Sequence, residues 1–166
     1  WLFVTYSSSL IMKEKNVLIT GASGAIGSQL LEQLYNERTP SSITVLVRPS
    51  RKTNKILSKY KGINVVIGDV TNLADVEKAC VEKDYVIHLA AIIPPMADDH
   101  ISLTNKVNVE GTRNVVSALE KHSPNAFLYY SSSVATYGDR NKNPDIRTTD
   151  PLTPSVGESC VGDEIT

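Results

Sequence analysis

Two short stretches of this 166-residue chain hold most of its capacity for chemistry. Residues 20–27 read TGASGAIG and residues 129–138 read YYSSSVATYG. Glycines at the first spacing permit a tight turn and close approach of backbone to a phosphate. A helix that starts there adds free N–H groups and the positive end of its dipole. A turn with no ligand is the plain alternative. The hydroxyls of the second stretch are costly to bury unless each finds a partner, so they belong at a surface or a ligand edge. A third feature is cationic: Arg48, Arg51, Lys52 and Lys55 lie close together, as a solvated face or as a site for an anion.

The intervening sequence supplies the elements that position these residues. Asn16–Thr20 is a short apolar run ending at glycine, the pattern of a strand buried on both faces. Ile26, Leu30, Leu31 and Leu34 then recur at helical spacing as far as Asn36. Further strands are expected at Ile43–Val47, Val65–Ile67, Tyr85–Leu89 and Phe127–Ser131. Helices are expected around Lys55–Lys61, at Leu73–Lys78 and from near Leu103 to Lys121, the last with Val107, Val115, Val116 and Leu119 inward. Five strands alternating with helices imply parallel βαβ units. The fold class is α/β, a doubly wound parallel sheet of Rossmann type, incomplete at the C-terminus. Ligands of such sheets bind at the carboxyl ends of the strands. The glycine loop, Arg48 and the serine run all fall there.

Bulk composition narrows the partners. The chain has 17 basic and 18 acidic residues, a net charge of −1, which gives no reason to expect nucleic acid or an acidic membrane. Cys80 and Cys160 are far apart and neither belongs to a CxxC pair. No metal site or disulfide framework is expected, and a cytoplasmic location fits. Residues 1–11, WLFVTYSSSLI, lack a basic n-region and are too short to span a bilayer. They read as an upstream segment or an expression remnant, with a truncated signal segment as the alternative. Residues 12–166 then form one truncated domain.

The second strand ends Val45-Leu46-Val47-Arg48. An acid at that point would hydrogen-bond a ribose 2′-hydroxyl and repel a 2′-phosphate. Arginine instead offers a planar fork to a phosphate, with Arg51 and Lys52 near. NADP is therefore expected as cofactor in preference to NAD.

These stretches resemble the amino-terminal part of the extended short-chain dehydrogenases/reductases, the NAD(P)-dependent epimerase/dehydratase group. The matching segments are LITGASGAIG (18–27), GDVTN (68–72), VIHLAA (86–91), VNVEGTRNVV (107–116) and YYSSSVATYGD (129–139). The resemblance implies a dinucleotide on Gly21, Ser23, Gly24, Ala25, Ile26 and Gly27. It implies that Asp69 and Val70 hold adenine and that Ala90 and Ala91 pass beneath the cofactor. Asn108 would hydrogen-bond near the active site. Ser131 and Ser132 would touch backbone or nicotinamide, and Ser133 would bind the substrate oxygen. Plain readings stand beside these: Asp69 as a cap for the next helix, Asn108 as an ordinary helix residue, His88 as a satisfied core histidine.

The family's chemistry also needs a tyrosine and, four residues later, a lysine that lowers its pKa. No Tyr-x-x-x-Lys occurs in these 166 residues. In one register Val156 and Cys160 take the two places; in another, Cys160 and Glu164 do. Three functions follow: part of an oxidoreductase or epimerase acting on a carbonyl, alcohol or nucleotide sugar; a catalytically dead cofactor-binding relative; or a structural module without cofactor. A small-molecule substrate and a homodimer are expected only of a longer chain.

Overall fold

The computed structural model describes residues 14–37, 41–138 and 145–153. Residues 1–11 and the Val156, Cys160 and Glu164 positions lie outside them. Five parallel strands form one sheet: β1 (Lys15–Thr20), β2 (Ser41–Val47), β3 (Asn64–Ile67), β4 (Tyr85–His88) and β5 (Phe127–Tyr130), in the order β3-β2-β1-β4-β5. The order reverses between β1 and β4, which opens a crevice at their carboxyl ends.

The two faces of the sheet follow from strand alternation. Val17, Ile19, Ile43, Val45 and Val47 share one cluster with Leu31 of α1 (Ala25–Asn36). Leu18, Leu46 and Val86 point the other way. They meet Val76, Ala79 and Cys80 of α3 (Leu73–Cys80) and Val115, Ala118 and Leu119 of α6 (Gly111–His122). Burying each such aliphatic side chain is worth about 1.5–3 kcal/mol, so both layers are needed to hold β1 at the centre.

Helix α2 runs over Arg51–Leu57, earlier than the 55–61 stretch expected, because Ser50 caps it: the Thr53 N–H donates to Ser50 Oγ at 3.0 Å. The single helix expected from Leu103 to Lys121 is instead three pieces. They are α5 (Ile101–Asn105), a π turn (Lys106–Glu110) and α6, preceded by the unforeseen short α4 (Met96–Asp99). Val107, Val115 and Leu119 are buried as expected, whereas Val116 is only half-buried. β5 is open along one side. Phe127 is 63% exposed and Tyr129 52% exposed, because among the described residues no helix covers that side of β5.

Candidate functional site

The crevice is a cavity of about 790 Å³ that reaches from the glycine loop to the ends of β2, β3 and β4. Gly21 stands at its head with φ +71°, and a Cβ there would lie 2.6 Å from the Leu89 carbonyl carbon. Only glycine lets the β1 turn cross that closely under β4. Gly27 allows the next approach, since a Cβ on it would strike the Gly21 carbonyl oxygen. Gly24 caps α1 without a side-chain hydrogen bond, which leaves the first-turn N–H groups open to an anion. This backbone fits a pyrophosphate.

Arg48 follows β2 and Asp69 follows β3, and both line the cavity. Arg48 Nε lies 3.9 Å from Asp69 Oδ2, with the side chains 71% and 36% exposed. A pair so open to water is worth about 0–1 kcal/mol, so the guanidinium is held weakly and can turn to a ligand. Asp69 does not cap α3. Its Oδ1 accepts from Thr71 N–H at 2.9 Å in a local turn, and its own N–H donates to Asp75 Oδ2 at 3.0 Å. The cap is Asn72, whose Oδ1 accepts from Ala74 N–H at 3.0 Å. Val70 is buried beneath this wall, with Asn114 Nδ2 donating to its carbonyl at 2.9 Å.

The segment after β4 forms the floor, and Leu89, Ala90, Ala91 and Ile92 all line it. Asn108, on the π turn and 5% exposed, is no ordinary helix residue. Its carboxamide accepts from Ile92 N–H at 2.8 Å and donates to Ile92 C=O at 2.9 Å. It reaches the site through Ile92 and does not itself line the cavity. His88 is satisfied as well as buried: Nδ1 lies 2.6 Å from Thr20 Oγ1 and Nε2 3.1 Å from Thr112 Oγ1. Burial pushes its pKa down to about 4, which keeps the ring neutral near pH 7.

Of the residues singled out from sequence, Gly21, Ser23, Gly24, Arg48, Asp69, Val70, Ala90 and Ala91 share the cavity wall. Ala25, Ile26 and Gly27 stand behind the loop as the first turn of α1. Ser131 and Ser132 are exposed and Ser133 half-buried just past the end of β5, outside the cavity lining. The Ser133 carbonyl accepts from the Thr136 hydroxyl at 2.8 Å, which fixes the 3₁₀ turn that follows. Ser50, Lys52 and Thr53 also line the cavity. Lys52 is one of the cations expected beside Arg48; Ser50 and Thr53 were not expected, and a serine just before the basic helical stretch, suited to an N-cap, was the signal that could have found them.

Among the described residues no helix is long and apolar enough to cross a membrane, and no group of acidic, histidine or cysteine side chains could hold a metal. The chain is 32% identical over 130 residues to the 3-beta-hydroxysteroid dehydrogenase of Mycolicibacterium neoaurum, a match covering 75% of this chain and 34% of that protein. It is 36% identical over 132 residues to the N-acetyl-alpha-D-glucosaminyl-diphospho-ditrans,octacis-undecaprenol 4-epimerase of Escherichia coli O157:H7, covering 78% and 36%. It thus spans about a third of the length of these relatives. Among solved structures it is similar to the UDP-glucose 4-epimerase of Thermus thermophilus in complex with NAD. The TM-score there is 0.74 at 26% identity, covering 87% of this chain and 46% of the other. The sequence model of the NAD dependent epimerase/dehydratase family matches residues 17–157. With the glycine turn, the β3-β2-β1-β4-β5 order and that match in agreement, the chain belongs to the NAD dependent epimerase/dehydratase family.

Proposed function

We propose that this chain is the dinucleotide-binding part of an oxidoreductase or epimerase, and that these 166 residues bind the cofactor without turning substrate over. The observation that carries the reading is the single cavity joining the Gly21–Gly24 turn to Arg48, Asp69 and the Ala90–Ala91 floor. The pyrophosphate would lie on the N–H groups at the start of α1, and adenosine between Arg48 and Asp69–Val70. NADP(H) is proposed over NAD, because Arg48 and Lys52 supply cations where an acid would select the 2′-hydroxyl.

A bound nicotinamide supplies hydride transfer at its C4. The chain's own residues bind, orient and exclude water. Ser133, at the carboxyl end of β5, would hydrogen-bond the oxygen of a carbonyl, alcohol or nucleotide-sugar substrate. No Tyr-x-x-x-Lys pair is present in the 166 residues to move the proton. A second reading, motivated by Val156 and Cys160 at the two places in one register, is a cofactor-binding relative that acts as a sensor or interaction module. A cytoplasmic setting, a homodimer in a longer chain, and no binding to nucleic acid or membranes complete the proposal.

Titrating NADPH and NADH into the purified chain by nucleotide fluorescence tests it. Micromolar binding with NADPH the tighter is expected, and no binding of either would overturn it. NADPH oxidation with a carbonyl substrate above a Ser133→Ala control would overturn the claim of inactivity.

A further inference from the structure

The hydrogen bonds around His88 form a directed chain. Thr20 Oγ1 accepts from Ala90 N–H at 3.2 Å and from Leu89 N–H at 3.2 Å, the latter shared with the Thr20 carbonyl at 3.3 Å. The two N–H groups face its lone pairs, so its proton is directed at His88 Nδ1, the acceptor at 2.6 Å. At the other end the Thr112 hydroxyl donates to the Asn108 carbonyl at 2.6 Å. Its oxygen is left to accept from His88 Nε2 at 3.1 Å. The two ends independently require the same tautomer, with the proton on Nε2. Thr20, His88 and Thr112 are all at most 3% exposed, so water does not replace any link.

The chain fastens the cavity floor at both ends. Thr20 holds Leu89 and Ala90 from below; Asn108, whose carbonyl receives Thr112, holds Ile92 through its carboxamide. We propose that His88 is a positioning residue. As the neutral Nε2–H tautomer it locks the Leu89–Ile92 floor to β1 and to the π turn, and dinucleotide affinity depends on that lock. The dependence on dinucleotide rests on the proposed function; the lock itself does not.

The test uses the 166-residue chain labelled with ¹⁵N-histidine, together with Thr112→Val and Thr112→Ser. Long-range ¹H–¹⁵N spectra, with the His88 signal assigned from His88→Gln, should show Nε2 as the protonated nitrogen and Nδ1 as the bare one. Thr112→Val, nearly isosteric, removes both the acceptor of His88 Nε2–H and the donor to the Asn108 carbonyl, and should weaken NADPH binding about fivefold to tenfold. It should also speed amide exchange at Leu89 and Ala90. Thr112→Ser should restore both to within about twofold, which a packing role alone would not do. A proton on Nδ1, or unchanged exchange at Leu89 and Ala90 in Thr112→Val, would overturn the lock. Faster exchange with unchanged NADPH affinity would overturn its link to binding. If the unmodified chain binds no dinucleotide, the proposed function and that link both fall, and the tautomer and exchange data still decide the lock.

Discussion

The Asn108 side chain occupies the place of a neighbouring strand for Ile92, accepting from its N–H at 2.8 Å and donating to its C=O at 2.9 Å. A backbone leaving a sheet normally loses such partners. Here one buried carboxamide from a helix replaces them, and the floor can continue past the end of β4 without water. Asn108→Ala should therefore cost about 2–4 kcal/mol, since two buried backbone groups lose their partners at once. Urea unfolding of the variant against the unmodified chain measures it.

Gly21→Ala should be worse for binding than for folding. The added methyl must both accept φ +71° and displace the Leu89–Ala90 backbone, so the pyrophosphate turn moves. We expect a loss of about 2 kcal/mol or more in stability and no measurable NADPH binding by fluorescence titration.

Arg48→Ala should leave stability within about 0.5 kcal/mol of the unmodified chain, because the Asp69 pair is largely solvated. NADPH affinity should fall about tenfold, as expected for a lost charged hydrogen bond, with NADH affinity little changed. Parallel calorimetric titrations of the two dinucleotides check this.

Acid should destabilise the fold through His88. Its folded pKa of about 4 lies below the ordinary 6.5, so the unfolded chain binds the extra proton first. The contribution of the neutral buried ring is intact above pH 6.5 and is lost as pH falls toward 4. At pH 5 the loss is about 2 kcal/mol. His88→Gln should flatten that part of the profile, even if it lowers stability at pH 7. Unfolding midpoints between pH 7 and pH 4.5 would reveal it.

The Cys80 thiol is fully buried, and burial raises its pKa to about 11. It should resist iodoacetamide at pH 8 until denaturant is added, as read by mass spectrometry of the peptide that carries it.

The order of elements was legible because each strand is an apolar run closed by a turn, and the glycine loop was legible because it falls between the first strand and first helix. The π turn was not, since Val107, Val115 and Leu119 suit an unbroken helix well enough. Nor was the exposure of Phe127 and Tyr129, because composition is the same whether or not a neighbour covers a strand. Asp69 and Asn72 both suit a cap by residue type, and only the geometry separates them. His88 could be read as a satisfied core residue but not as a link. Its partners Thr20 and Thr112 stand 68 and 24 residues away, and a long-range hydroxyl leaves no local trace.

The π turn gives the long helical segment two azimuths. Each α-helical residue advances about 100° around the axis, and a π turn inserts one residue more than an α turn needs. The turn itself can therefore direct Asn108 at the β4 exit while α6 after it keeps Val115 and Leu119 on the sheet. Removing one residue from 106–110 would heal the helix and swing α5 by about 100° relative to α6. The floor of the crevice is thus set by a rotational offset, and a regular helix would have none to give.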